Sequence, residues 1–377
     1  PLPCPMPKYI FLFLEIFASE GGIQSYVQDI LKAYQVVAKG RKAQVLILRD
    51  SAGCFNLLDR QKDSNLKFYY LKTLPPFLGR FRLTITFLFC LLINRPEKVF
   101  CGHIKLAPLV QKLCHIFHIP YTVLTYGKEV WEPLSSQYQR ALQQADRIWC
   151  ISRYSRDRTC INNNLNPEKF QILPCTIDGN IFTPGPKSPD LIAKYNLTNA
   201  KVLMTVARLW SGDIYKGVDV TIRALPAIAQ VIPNVKYLVI GRGDDQPRLA
   251  ALAKNLGVGD RVIFAGFVPE VELPAHYRVA DAYIMPSQEG FGIVYLEAMA
   301  CGIPVLAGDD DGSADPLQDG KLGWRVPHRN SEAVAKACVE ILQGGDRRCD
   351  GKYLRQEILA IFGTDTFIDR CQQLLDF

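Results

Sequence analysis

The segment from Ala282 to Ala307 leaves this chain few choices of fold. It opens with a short apolar run of strand length, Ala282-Tyr-Ile-Met285, and closes with another, Ile303-Pro-Val-Leu-Ala307. Between them lie a glycine-rich turn, Glu289-Gly-Phe-Gly292, and a stretch that reads as a helix from about Ile293 to Ala300, ended by Gly302. Strand, turn, helix and strand in that order build a parallel sheet. The turn enters the helix through two glycines, so backbone N–H groups there can approach a ligand, and the helix dipole favours an anion such as a phosphate.

Two carboxylates frame this turn, Glu289 before the helix and Glu297 within it, with seven residues between them. Eight positions on a helix amount to a rotation of about 800°, about 80° past two full turns, so helix geometry alone does not bring the two together. In isolation, such a pair reads as a charge at a helix start and a solvated face residue.

The surroundings change that reading. Glu289-Gly-Phe-Gly-Ile-Val-Tyr-Leu-Glu297, followed by Ala-Met-Ala-Cys-Gly-Ile-Pro-Val305, closely resembles the nucleotide-sugar motif of retaining glycosyltransferase family 4, the glycosyl transferases group 1. That resemblance implies the α/β GT-B fold, two Rossmann-like domains facing a cleft.

Length agrees: 377 residues suit two domains better than one core. Net charge is uneven. Residues 1–190 carry 24 Lys and Arg against 14 Asp and Glu, whereas residues 191–377 carry 20 against 23. A basic first half suits an anionic lipid surface or an acidic acceptor, or is simply a soluble basic surface; no nucleic-acid motif accompanies it. Twelve cysteines are scattered from Cys4 to Cys371 without a C-x-x-C or a zinc-type Cys/His spacing, and most sit in apolar runs as small buried hydrophobes. A reducing, cytoplasmic setting is expected, peripheral to the inner face of the plasma membrane if the basic half meets lipid. No signal peptide is read at Tyr9–Leu14, and the longest apolar run, Leu83–Ile93, is shorter than the roughly twenty residues that span a bilayer.

The first half reads as seven strands: 8–14, 43–48, 66–71, 98–101, 121–125, 147–151 and 170–174. The first leads into Gly21-Gly22 and an amphipathic helix. Phe77–Asn94 mixes Arg80 and Arg82 with phenylalanines and aliphatics, and is expected to pack on the sheet, the rival being a membrane-surface helix. Ligands of open parallel sheets bind beyond strand C-termini, which nominates His103 and the pair Tyr126-Gly127. Family members often carry histidine where Tyr126 stands, so this chain departs from the pattern. Thr183–Pro189, polar and proline-rich, reads as the linker. The domains are then 1–185, on the acceptor side, and 186–361, on the nucleotide-sugar side, with a helix over 362–377 crossing back.

In the second half, strand 201–206 is followed by Arg208 and by Lys216-Gly217. Two cations bracketing a βα loop can neutralise a diphosphate. Strand 235–241 ends at Gly241, and 261–268 ends at Val268. Asp309–Asp315 is acidic where the family more often has Gly-Gly-x-x-Glu; read alone, it could hold Mg2+.

The resemblance implies roles. Glu289, Arg208 and Lys216 are catalytic. Gly21, Gly22, Gly241, Val268, Phe291, Gly292, Ile293, Val294 and Glu297 bind the donor, with Glu297 on the ribose and backbone groups of Phe291–Val294 on the sugar. His103, Tyr126 and Gly127 lie on the acceptor side. No metal site and no cofactor are expected, since the nucleotide-sugar is itself a substrate. The expected function is retaining, same-face, metal-independent transfer from a GDP-mannose or UDP-glucose type donor to a glycan or glycolipid, in polysaccharide or glycolipid assembly. A nucleotide-sugar epimerase and a non-catalytic sugar-nucleotide-binding protein are the alternatives.

Overall fold

The computed structural model describes residues 8–19, 21–59 and 64–375. Cys4 lies outside them. The chain divides into two compact units: one runs up to Cys175 and resumes at Asp365, the other is Thr176–Thr364.

The first unit is built on seven strands: β1 (Tyr9–Phe13), β2 (Ala43–Ile47), β3 (Leu66–Tyr70), β4 (Lys98–Cys101), β5 (Tyr121–Thr125), β6 (Arg147–Cys150) and β7 (Phe170–Ile172). All pair in parallel, in the order 3-2-1-4-5-6-7. β1, β2 and β5 are buried along their whole length, which is why they read as continuous apolar runs rather than alternating ones. One face of the sheet carries Ile10, Leu12, Leu46, Val99 and Val123, which pack with Leu83, Phe87 and Leu91 of helix Pro76–Asn94. The last helix, Thr364–Leu374, groups with this unit from Asp365 onward; its Phe367 meets Tyr26 edge-on at 6.2 Å between centroids.

The second unit has six strands: β8 (Lys201–Val206), β9 (Val235–Ile240), β10 (Val262–Gly266), β11 (Ala282–Met285), β12 (Val305–Gly308) and β13 (Trp324–Val326). These too are parallel, ordered 10-9-8-11-12-13. The core joins Leu203, Val239, Ile284 and Leu306 to Ile222, Leu225 and Ile228 of helix Val218–Val231 and to Val334, Cys338 and Ile341 of helix Ser331–Gln343. β13 was not read from sequence, because Trp324-Arg-Val is only three residues long.

The boundary between units falls at Cys175/Thr176, before the expected linker. Residues 183–189 are bound within the second unit instead. The Arg278 guanidinium donates to the Thr183 carbonyl at 2.7 Å, and Arg355 donates to the carbonyls of Gly179, Phe182 and Ala300 at 2.7 Å each. Composition marks proline-rich segments as loops but does not show which carbonyls two distant arginines will hold.

In each unit the strand order reverses beside the first strand, between β1 and β4 and between β8 and β11. Loops leaving the C-terminal ends of these strands diverge, and ligands of open parallel sheets bind there.

Candidate active site

In the second unit the diverging loops are those after β8 and β11, and they carry all three of the predicted catalytic residues. The loop after β8 holds Arg208, then a 3-10 turn Ser211–Lys216 closed by Gly217. The loop after β11 runs from Pro286 to Gly292. Gly217 lets them touch. Its φ is +76°, and a Cβ there would sit 2.4 Å from the Pro286 carbonyl oxygen, so only glycine allows this approach. Next to that contact, Lys216 Nζ donates to Glu289 Oε1 at 2.5 Å, with the side chains 20% and 15% exposed. Burial pulls the ammonium pKa down, but the Glu289 carboxylate and Tyr215 outweigh it and hold Lys216 above the ordinary lysine value. The lysine is therefore held in its charged form here.

Arg208 lies in the same loop, mostly exposed. Its guanidinium is 2.8 Å from Asp213 Oδ2, an ion pair without hydrogen-bond alignment, and Asp213 is buried. It also lies over Trp210 at 6.0 Å. Arg208, Asp213 and Lys216 line one small void of about 10 Å³. The two cations predicted from spacing are thus brought together, each beside a carboxylate.

Glu289 is held through its own backbone by residues to which no role was assigned from sequence. Its N–H donates to Asp311 Oδ2 at 2.7 Å, and its carbonyl accepts from Gly312 N–H at 2.8 Å. The other Asp311 oxygen accepts the Ser313 N–H at 2.9 Å and the Ser313 hydroxyl. Burial pushes the Asp311 carboxyl up to about 7. The acidic run, which read alone could hold a cation, braces the Glu289 turn. Among the described residues no group of three His, Cys, Asp or Glu is arranged to hold a metal ion.

Gly292 precedes helix Ile293–Ala300, whose first turn has neither a side-chain cap nor an acidic residue. The N-terminal N–H groups of Ile293 and Val294 are thus left without a side-chain acceptor. The helix is pinned by Tyr295, whose hydroxyl donates to the Met285 carbonyl at 2.8 Å. Phe291 is buried edge-on against Phe362 at 5.6 Å, so only its backbone is open to a ligand. Glu297, one turn on, accepts from the Tyr277 hydroxyl at 2.6 Å. Burial raises its carboxyl to about 7, against the opposing effect of that hydrogen bond. Tyr277 had no sequence signal beyond an apolar-helix pattern.

Gly241 bridges Gly266, its N–H donating to the Gly266 carbonyl at 2.8 Å. The Val268 side chain is buried; its neighbour Phe267 is the exposed one, with the Arg242 guanidinium 4.9 Å over its ring.

In the first unit, Gly21 and Gly22 begin helix Gly22–Val37, again with no acidic residue in the first turn. His103 lines a cavity of about 120 Å³ with Glu15, Gln24, Arg49 and Lys105. Its Nδ1 accepts the Lys105 N–H at 3.1 Å, and burial with the cations Lys105 and Arg49 lowers its pKa to about 4. The imidazole is neutral near pH 7. Tyr126 does not line that cavity. Its ring is buried, and its hydroxyl donates to the Gly102 carbonyl at 2.7 Å, spanning from β5 to β4. Gly127, at φ +150°, starts the short helix Lys128–Trp131. Of the three residues predicted on the acceptor side, His103 lines this cavity and Tyr126 and Gly127 do not.

Parallel sheets in this order, with paired charges where the order reverses, define an α/β protein of the GT-B fold class. Residues 188–353 match the family described as Glycosyl transferases group 1. A GDP-mannose-dependent alpha-(1-6)-phosphatidylinositol monomannoside mannosyltransferase of Mycolicibacterium smegmatis is 34% identical over 232 residues, 58% of this chain and 59% of that protein. A D-inositol 3-phosphate glycosyltransferase of Acidothermus cellulolyticus is 32% identical over 256 residues, 64% of this chain and 55% of that protein. The matches thus span less than two thirds of these relatives. Among solved structures, Anabaena HepE in complex with UDP superposes with a TM-score of 0.79 at 21% identity, covering 98% of this chain and 99% of that one. Sucrose-phosphate synthase from Thermosynechococcus elongatus gives 0.79 at 21% identity, covering 98% of each. At such identities these structures share the fold.

Proposed function

We propose that this chain is a retaining glycosyltransferase that moves a hexose, mannose first among the choices, from a nucleotide diphosphate sugar to a lipid-linked or glycan hydroxyl. The observation that carries this reading is the Lys216–Glu289 pair at the strand-order reversal, beside an uncapped helix that presents Glu297. The group 1 family match and the mannosyltransferase relatives support it.

The roles follow from the chemistry. Glu289, paired with Lys216 and fixed at its backbone, accepts hydroxyls of the transferred sugar. Lys216, Arg208 and the N–H groups of Ile293 and Val294 face the diphosphate. They stabilise the charge that grows on it as the bond from the anomeric carbon to the phosphate oxygen breaks. The acceptor hydroxyl attacks from the same face, and its proton passes to the departing phosphate oxygen. Glu297 takes the ribose hydroxyls. Two side-chain cations supply the neutralisation, so EDTA should leave the rate unchanged.

The test is transfer from radiolabelled GDP-mannose and UDP-glucose to inositol lipid and glycan acceptors, each with EDTA. Acceptor-dependent product with retained anomeric configuration is the expected result. Donor turnover without acceptor would mean an epimerase, and binding without turnover a sugar-nucleotide-binding protein.

The ribose role has its own pH signature. Hydroxyls donating to Glu297 favour its charged form, so the bound carboxyl has a lower pKa than the free value of about 7. Binding then releases a proton, and nucleotide affinity should rise about tenfold from pH 6 to pH 8. Without ligand the sign is opposite. The stability this raised carboxyl contributes is full below its unfolded value and is lost as pH climbs to about 7. Titration calorimetry across this range is the check. Asp311 titrates in the same window, so Glu297→Gln assigns the effect; a pH profile that survives this substitution removes the role.

A further inference from the structure

Helix Pro76–Asn94 is apolar on both of its faces. Leu83, Phe87, Cys90 and Leu91 are buried against the sheet. Phe77, Phe81, Ile85, Phe89 and Leu92 are each at least half exposed, and Leu74 just before the helix is 82% exposed. At about 100° per residue, those five helical positions fall within an arc of roughly 120°, opposite the buried set. From Phe77 to Leu92 the outward stripe is about 23 Å long. Exposed apolar residues scattered singly need no explanation, but a continuous stripe does.

Charge indicates what covers it. From Leu71 to Arg95 there are four cations, Lys72, Arg80, Arg82 and Arg95, all exposed, and no acidic residue. An apolar stripe flanked only by cations complements an anionic lipid surface, the arginine stems lying along the acyl boundary and their heads reaching the phosphates. At 19 residues the helix is also long and apolar enough to cross a bilayer. That exceeds the shorter run read from sequence, because Pro76–Arg82 joins the same helix. Its buried face, however, belongs to the sheet.

We infer that the outward face of helix Pro76–Asn94, with Leu74 and the flanking arginines, docks this protein flat on an anionic membrane surface. The helix starts beside the polar cavity: Gly79 lies against Leu48, and the next residue along, Arg49, lines the cavity with His103. A head group of the docked leaflet would thus meet the end of the sheet where that cavity opens. This inference stands apart from the transferase reading, since vesicle binding needs neither donor nor turnover.

Co-sedimentation of the full chain with phosphatidylcholine vesicles and with mixed phosphatidylcholine–phosphatidylglycerol vesicles tests it. Binding to the mixed vesicles is expected. The triple substitution Phe77→Ser, Phe81→Ser, Phe89→Ser should weaken it at least tenfold, on the order of the burial each ring would lose. Arg80→Gln and Arg82→Gln should each cost about fivefold on anionic vesicles alone. These side chains face outward, so thermal unfolding should be unchanged. A fluorophore on Ile85→Cys should be quenched by lipids brominated near the head group. Absence of binding, or an unquenched probe, would overturn the inference. So would quenching only at the bilayer centre, or probe burial through self-association in the absence of vesicles.

Discussion

Lys216→Ala should lower kcat by about 10²–10³-fold, the loss that follows removal of one positioned donor from a developing anion. Two effects combine. The departing diphosphate loses its most buried cation, and Glu289 loses the ammonium that holds it at 2.5 Å. Removing one partner of a fully buried ion pair costs about 3–5 kcal/mol, because a charge is left unpaired. Here both side chains keep some exposure, so the stability loss should be smaller than that. Lys216→Ala/Glu289→Gln separates the two effects. The double variant should recover thermal stability relative to Lys216→Ala while remaining inactive. Steady-state turnover and unfolding curves on the four proteins give the cycle. A Lys216→Ala enzyme with near-normal kcat would end the proposal that this lysine neutralises the leaving group.

Gly312→Ala should lower turnover about 10²-fold although residue 312 carries no side chain that could touch a substrate. A Cβ there would sit 1.9 Å from the Gly290 carbonyl oxygen and 3.0 Å from that of Glu289. Both obstacles are backbone, so the 3-10 turn Gly312–Ala314 must move away. That turn supplies the Gly312 N–H and, through Asp311, the carboxylate that fix the Glu289 peptide. Glu289 would then shift, and a displacement of about 1 Å at a reacting centre is enough for a 10²-fold loss. Gly53→Ala is the matched control, because a Cβ there meets nothing within 4 Å. Equal activity of the two variants would show that the turn does not position Glu289.

The fold was legible in particular elements. Seven strands of the first unit and five of the second were read within a residue or two, because strands buried on both faces must be continuous apolar runs bounded by turns. The segment around Glu289 was legible because glycines, carboxylate and helix follow each other in sequence. Its contact with Lys216 was not. That contact depends on Gly217 meeting Pro286, and the two lie in loops that follow strands adjacent only in the sheet. The role of Asp311 was not legible for a related reason. A carboxylate whose oxygens are taken by backbone N–H groups looks, in sequence, the same as one that offers them to a cation. Tyr126 was placed at the right strand end, but its long side chain returns to the Gly102 carbonyl instead of facing outward. Tyr277 was invisible, since nothing local announces that a tyrosine will meet a glutamate 20 residues away.

The division of the chain at Cys175 and Asp365 has a consequence for biosynthesis. The first unit is discontinuous: Tyr26, near the start, is covered by Phe367, near the end. While the ribosome makes Thr176–Thr364, at about 5–20 residues per second, that tyrosine lacks the Phe367 ring for roughly 10–40 s and has only Tyr126 edge-on against it. The half synthesised first is therefore the half completed last. Meanwhile its exposed apolar helix is already available to other chains, so nascent protein released early should be the form most prone to aggregate.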